Sequence, residues 1–186
     1  MSELAPRTRR LFVGIALDEE ARLRCGAVSE ELRKTGLPAK FEAVEKLHVT
    51  LAFLGNVASS RAEDIASALT PIATGLHPFA VTLDKLGAFP HERKPRVVYI
   101  GAREQGPTFR ALAQRVRSAY TALGFPFEKD AVAHVTIART KDPKRPLPLV
   151  EFAPIPLPIE HVALFESLFD KMQNTSRYEI LATASL

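Results

Sequence analysis

Two tetrapeptides hold the residues of this 186-residue chain best suited to chemistry, His48-Val49-Thr50-Leu51 and His134-Val135-Thr136-Ile137. On a strand, side chains two residues apart share a face. Each motif therefore sets an imidazole beside a hydroxyl and turns the intervening apolar residues toward a core. An imidazole titrates near neutral pH and can both take and give a proton. A threonine hydroxyl can donate to an anionic oxygen. If the two halves of the chain pack about a pseudo-two-fold axis, both pairs face one cleft. One histidine can then deprotonate a nucleophile and the other protonate a leaving group, with Thr50 and Thr136 holding a phosphate between them. Arg139 would add a planar guanidinium for that phosphate. Its strand parity is wrong, however, so it reaches the cleft only through a strand irregularity or a strand end. His77, His91 and His161 have no threonine two residues on and read as surface or strand-edge residues. No ligand-like spacing such as His-Glu-x-x-His occurs, so no metal is expected.

These motifs need strands to carry them. Apolar, partly β-branched runs predict strands over 11–17, 48–54, 79–86, 96–101, 132–139, 162–167 and 178–182. Asp18 reads as the cap of a helix running to Lys34, closed by Gly36 and Pro38. Further helices are expected over 61–74 and 107–123, each followed by glycine. Residues 41–45 read as a short extended segment, 87–95 as a loop, and the proline-rich stretch 143–158 as a connection with extended pieces. Strict strand-helix-strand alternation is missing, which favours an α+β fold with largely antiparallel sheets over a doubly wound one.

Composition is that of a globular protein, with 46% apolar and 25% charged residues, too apolar for disorder to dominate. The length suits one domain, read here as residues 1–186 forming two pseudo-symmetric lobes with one motif in each. Net charge is only +4, which permits an anionic partner without demanding one. The single cysteine, Cys25, excludes an internal disulfide and reads as an inert thiol suited to a reducing cytoplasm. The polar start MSELAPRTRR and the lack of a long apolar run predict neither signal peptide nor membrane helix. The cations Arg93, Lys94 and Arg96 read as a solvated turn or as a contact for an RNA backbone. Lys141, Lys144 and Arg145 are better placed at a cleft mouth. Phe41 and Tyr178 are candidates to stack a base, and Phe41 is equally a core residue.

The paired motifs and their surroundings resemble the two-histidine phosphoesterases, and within them the RNA 2′,3′-cyclic phosphodiesterases, also called 2′-5′ RNA ligases. The resemblance runs nearly end to end. Arg10 to Leu17 is similar to the family's opening strand, Glu45 to Gly55 to its first signature, and His134 to Arg139 to its second. Gly87-Ala88-Phe89-Pro90 with Pro95 to Gly101 resembles its middle hairpin, and Leu164 to Ser167 with Tyr178 its closing strands. The chain departs from the family's pattern in carrying Lys40-Phe41 where Arg-Trp is usual, Lys46 for Asn, Ala133 for Pro, and Ser176-Arg177 where a glycine precedes the closing tyrosine. The resemblance implies a bilobal α+β fold with helices outside and a central cleft. It implies hydrolysis of an RNA terminal 2′,3′-cyclic phosphate to a 2′-phosphate, without metal or cofactor. His134 would be the proton acceptor, His48 the proton donor, and Thr50, Thr136 and Arg139 the phosphate ligands. The partners would be RNA ends or nucleotides bearing the cyclic phosphate, the setting cytoplasmic, and the default state a monomer. Reverse 2′-5′ ligation is left open. The alternatives are a relative acting on another cyclic phosphate or a 2′-5′ linkage, and a non-catalytic RNA- or nucleotide-binding module.

Overall fold

The computed structural model describes residues 7–172 and 175–186. Residues 1–6, which open the polar N-terminal stretch, lie outside them. An eight-stranded sheet contains β1 (Thr8–Ala16), β2 (Ala39–Phe41), β3 (His48–Ala58), β5 (Lys85–Phe89), β6 (Val97–Gly101), β7 (His134–Thr140), β9 (His161–Asp170) and β10 (Thr175–Ser185). A two-stranded sheet pairs β4 (Phe79–Leu83) with β8 (Ile155–Ile159). Every strand pair is antiparallel. The helices are α1 (Glu19–Lys34), α2 (Ala62–Ser67), α3 (Leu69–Ala73) and α4 (Gly106–Ala122). The α+β class with two antiparallel sheets, expected from sequence, is the observed architecture.

The large sheet consists of two arms. The order β10-β9-β1-β3 makes one, and β7 with β6, β5 and β2 makes the other. They join through a single registered pair, Val49 on β3 with Val135 on β7. Both valines are fully buried in one continuous core that draws on both arms. The helices reinforce the join by crossing over. α1 follows β1 but packs against β7 of the other arm and against β8 of the small sheet, while α4, which follows β6, packs against β3 and against β4 of the small sheet. α1 is held by Ala21, Cys25, Val28 and Leu32 on its buried face and capped by Asp18, whose carboxylate accepts from the Ala21 amide at 2.9 Å. Burial pushes the Cys25 thiol up to about 12, which keeps it neutral and unreactive. α4 buries Phe109, Leu112, Ala113, Val116 and Tyr120. Among the described residues no helix is long and apolar enough to cross a membrane.

Several boundaries differ from the sequence expectation for identifiable reasons. Residues 87–89 are strand, not loop. They complete β5, which pairs along its whole length with β6. Gly87 is required there because a Cβ would collide with the Tyr99 ring. β3 does not stop at Gly55. The glycine takes φ +74° and the strand continues to Ala58. Ile155-Pro156-Leu157-Pro158-Ile159 forms β8, with its aliphatic residues buried and its prolines exposed. A two-stranded sheet has only edges, which is where a strand tolerates proline. Residues 41–45 are extended only at Phe41, with a 3₁₀ turn over Val44–Lys46, and the expected helix over 61–74 is broken into α2 and α3.

Gly14 fixes the approach of β1 to β3. A Cβ there would run into the Val49 carbonyl oxygen. Gly14→Ala should therefore lower stability by about 1–3 kcal/mol through forced backbone movement, read as a lower thermal midpoint. An unchanged midpoint would show that β1 and β3 need not approach so closely.

Candidate active site

The strands explain how the chemical residues meet. Val49 and Val135 point into the core, so His48 and Thr50 project from β3, and His134 and Thr136 from β7, to the opposite side. Extending the antiparallel register by one residue in each direction sets His48 across from Thr136 and Thr50 across from His134. All four line one cavity of about 460 Å³. Arg139 lines it as well, by the strand irregularity its parity demanded. The β6–β7 register skips Ile137, with Tyr99 opposite Thr136 and Val98 opposite Ala138. That extra residue moves Arg139 onto the face of Thr136, the usual effect of a β-bulge. The same slip occurs on β3, where the β1–β3 register skips Leu51. Three residues past Thr50 it brings out Phe53, which also lines the cavity and lies under the Arg10 guanidinium at 4.9 Å.

Each imidazole is fixed in the same manner. His48 Nδ1 donates to the Lys46 carbonyl at 2.7 Å and His134 Nδ1 to the Val132 carbonyl at 2.8 Å. A carbonyl only accepts, so Nδ1 bears the hydrogen in both rings, and in the neutral state each Nε2 keeps a lone pair. On His48 that lone pair accepts from the Thr50 hydroxyl at 3.0 Å. His134 Nε2 has no hydrogen-bond partner among the described residues. Aromatic rings wall both. Phe12, Phe165 and Tyr178 lie 4.7, 5.9 and 5.1 Å from His48, and Phe89 and Tyr99 lie 5.2 and 5.4 Å from His134. Burial among these rings pushes both imidazoles below the ordinary histidine value, partly opposed by their carbonyl bonds. The cavity thus holds two histidines biased toward the neutral form.

The cavity also contains charges that its motifs do not announce. Arg10, Lys40, Lys46 and Arg139 line it with a single carboxylate, Glu42. Glu42 bridges the arms, contacting Lys46 Nζ at 3.1 Å and Arg139 Nε at 3.3 Å. Lys46 also donates to the Thr175 hydroxyl at 3.0 Å and lies 5.8 Å from the Tyr178 ring centre. Lys46 stands two residues before His48 but ends the 3₁₀ turn ahead of β3, so strand parity does not announce it. Glu42 sits between a short strand and a 3₁₀ turn, and nothing in its neighbourhood marks it. Of the two candidates for base stacking, Tyr178 lines the cavity, whereas Phe41 packs against the core beneath Arg33.

Two arms joined at one pair, each presenting a histidine and a threonine to a basic cleft, define a two-histidine phosphoesterase. The chain belongs to the 2′-5′ RNA ligase superfamily, whose family model matches residues 19–170. It is 36% identical over 132 residues to the RNA 2′,3′-cyclic phosphodiesterase of Archaeoglobus fulgidus, a match spanning 71% of this chain and 73% of that protein. A crystal structure of a Thermus thermophilus protein superposes with a TM-score of 0.79 at 30% identity, covering 95% of this chain and 97% of the other. Escherichia coli LigT complexed with 3′-AMP superposes with a TM-score of 0.73 at 26% identity, covering 97% and 99%.

Glu42 is mostly shielded, with 17% of its side chain exposed, and Lys46 has 14%. Replacing the carboxylate leaves a nearly buried ammonium without its counter-charge. Glu42→Gln should cost about 1–2 kcal/mol, a fraction of the penalty for breaking a fully buried pair. Inorganic phosphate should restore more stability to the variant than it adds to the wild type, because the anion then takes up both Lys46 and Arg139. Thermal midpoints with and without phosphate check this. Equal phosphate effects would show that Glu42 does not hold the two cations.

Proposed function

We propose that the protein hydrolyses the 2′,3′-cyclic phosphate at an RNA 3′ end to a 2′-phosphate, using His134 as base and His48 as acid. The observation that carries the proposal is the unequal state of two otherwise matched imidazoles. His134 presents an unengaged lone pair to the cavity, ready to accept a proton from water. His48 Nε2 faces the same cavity from the other arm, in contact with a hydroxyl. In-line displacement at phosphorus places nucleophile and leaving group on opposite sides, which suits two groups on opposite strands. Water attacks phosphorus as its proton passes to His134 Nε2. The bond from phosphorus to the 3′ oxygen breaks, and that oxygen takes the proton from His48 Nε2.

The remaining residues have compatible roles. While His48 is neutral, the Thr50 hydroxyl donates to its Nε2. Once His48 is protonated, that nitrogen becomes the donor and the hydroxyl is released to a non-bridging phosphate oxygen. Thr136 supplies the corresponding donor beside His134, and Arg139 a charged one. Phe53 and Tyr178 offer ring faces for a base. This reading takes the chain as one domain of two pseudo-symmetric lobes. The hydrolysis is supported by the similarity to the Archaeoglobus fulgidus RNA 2′,3′-cyclic phosphodiesterase and by the 3′-AMP in the complex of the E. coli neighbour. The acid-base pair lies within the chain itself, so neither metal nor cofactor has a step assigned to it, and turnover is expected to survive excess chelator.

His48→Ala and His134→Ala should each lose about 10²–10⁴-fold in turnover of a cyclic-phosphate-ended oligonucleotide, the range for loss of a general acid or base. Thr50→Val and Thr136→Val should each cost about 2–4 kcal/mol of barrier. Thr136→Val should leave the pH profile in place, since a hydroxyl does not titrate in this range, whereas Thr50→Val also removes the donor to neutral His48 and should move the His48 limb to higher pH. Both histidines of the free site lie below the ordinary value of 6.5, so the kcat/KM profile should be centred on the acid side of that value. A bound phosphate anion favours protonated His48, so the basic limb of kcat should stand at higher pH than that of kcat/KM. Full activity in either histidine variant, or release of a 3′-phosphate product, would refute the assignment.

A further inference from the structure

A second concavity lies at the tip of the β5–β6 hairpin. It is about 440 Å³ in volume and is lined by Pro90, Lys94, Arg96, Pro143 and Lys144. Two loops form it, one joining β5 to β6 and one following β7, and backbone hydrogen bonds fasten them together. The Leu147 amide donates to the Glu92 carbonyl at 2.8 Å and the Thr140 amide to Arg96 at 3.1 Å, while the Arg96 amide closes the hairpin loop on Phe89 at 2.8 Å. The groove is linked to the residues of the catalytic cavity through its chain neighbours. Pro90 follows Phe89, whose ring packs against His134, and Arg96 precedes Val97, the registered partner of Arg139.

The electrostatics of this rim are one-sided. Lys94, Arg96 and Lys144 are exposed and have no ion-pair partner among the described residues, and the same holds for their neighbours Arg93 and Lys141. Two acids lie nearby. Glu92 pairs with Lys85 at 3.7 Å, and the exposed Asp142, whose carboxylate accepts from the Lys144 amide at 3.0 Å, leaves the cations of the rim in excess by four. In a chain of net charge only +4, this is a concentration of unneutralised cations beside two apolar proline faces. Single-stranded nucleic acid presents that alternation, phosphates between flat apolar surfaces.

We infer that the groove of Lys94, Arg96 and Lys144 is a subsite for the phosphodiester backbone of single-stranded RNA, holding the nucleotides upstream of the terminal cyclic phosphate. This inference rests on the proposed hydrolysis of RNA ends. It adds that the enzyme prefers a polynucleotide end over a cyclic mononucleotide, and that the strand leaves the cleft along the arm of His134. Each phosphate neutralised by a cation contributes about −0.7 to the slope of log affinity against log salt for a single strand. Three contacts should therefore make the oligonucleotide slope steeper than the mononucleotide slope by about 2.

The test compares cytidine 2′,3′-cyclic phosphate with a short oligoribonucleotide bearing the same terminus. The triple variant Lys94→Gln, Arg96→Gln, Lys144→Gln should lose about tenfold or more in kcat/KM on the oligonucleotide and most of its extra salt dependence. Turnover of the mononucleotide should stay unchanged, which also reports that the variant is folded. A charge-matched control, Arg103→Gln, Arg110→Gln, Lys129→Gln, should leave both substrates unaffected. Equal losses on both substrates, or no loss on either, would overturn the subsite. If the wild type turns over neither substrate, the proposed hydrolysis fails and the groove is still decided by binding. Anisotropy of a labelled 3′-phosphorylated oligoribonucleotide should then show weaker binding by the triple variant, and equal binding would refute the groove.

Discussion

Val49 and Val135 form the one registered pair between β3 and β7, and the site is arranged around it. Their side chains lie in the shared core, which obliges the flanking histidines and threonines to face the other way. A one-residue slip at this pair would exchange the faces of a whole motif, burying His and Thr and exposing the aliphatic residues. Such a slip is opposed by the core on one side and by the aromatic walls of the imidazoles on the other. Crossing helices add to this, since α1 and α4 each cover the arm other than the one that leads into them. The relative placement of His48 and His134 is therefore a consequence of core packing and does not depend on loop conformation.

Strand parity makes the reactive residues legible in the sequence. His48, Thr50, His134 and Thr136 stand out because an i, i+2 pair of polar residues within apolar runs has one consistent structural solution. Arg139 is half legible. Parity argues against it unless the strand is irregular, and the bulge past Thr136 supplies the irregularity. The corresponding bulge that exposes Phe53 is not legible, because an apolar residue in an apolar run carries no sign of misplacement. Glu42 is hidden for a different reason, since its partners lie on two other elements and such pairing is a property of tertiary structure. The end of β5 reads as a loop because Gly87 and Pro90 resemble a turn. The glycine instead answers the Tyr99 ring lying against it.

The charges of the cleft and the state of its histidines follow from the same enclosure. Aromatic walls that orient the imidazoles also desolvate them, which disfavours their charged forms. One neutral histidine is what a base requires, and one protonated histidine is what an acid requires. The enclosure biases both toward the neutral form and leaves the phosphate anion to favour the second proton. Glu42 meanwhile pairs with both Lys46 and Arg139. Under the proposed reaction, both arrangements favour the catalytic charge state when an anionic ligand is bound.

The most direct test of this account is the dependence of kcat/KM on pH for the wild type and the two histidine variants. If His134 is the base and His48 the acid, the wild type gives a bell whose limbs belong to the coupled pair. Residual activity of His134→Ala should lack the acid limb, because no group then has to lose a proton. Residual activity of His48→Ala should lack the basic limb. A wild-type bell persisting in either variant, or the limbs disappearing in the reverse order, would contradict the assignment.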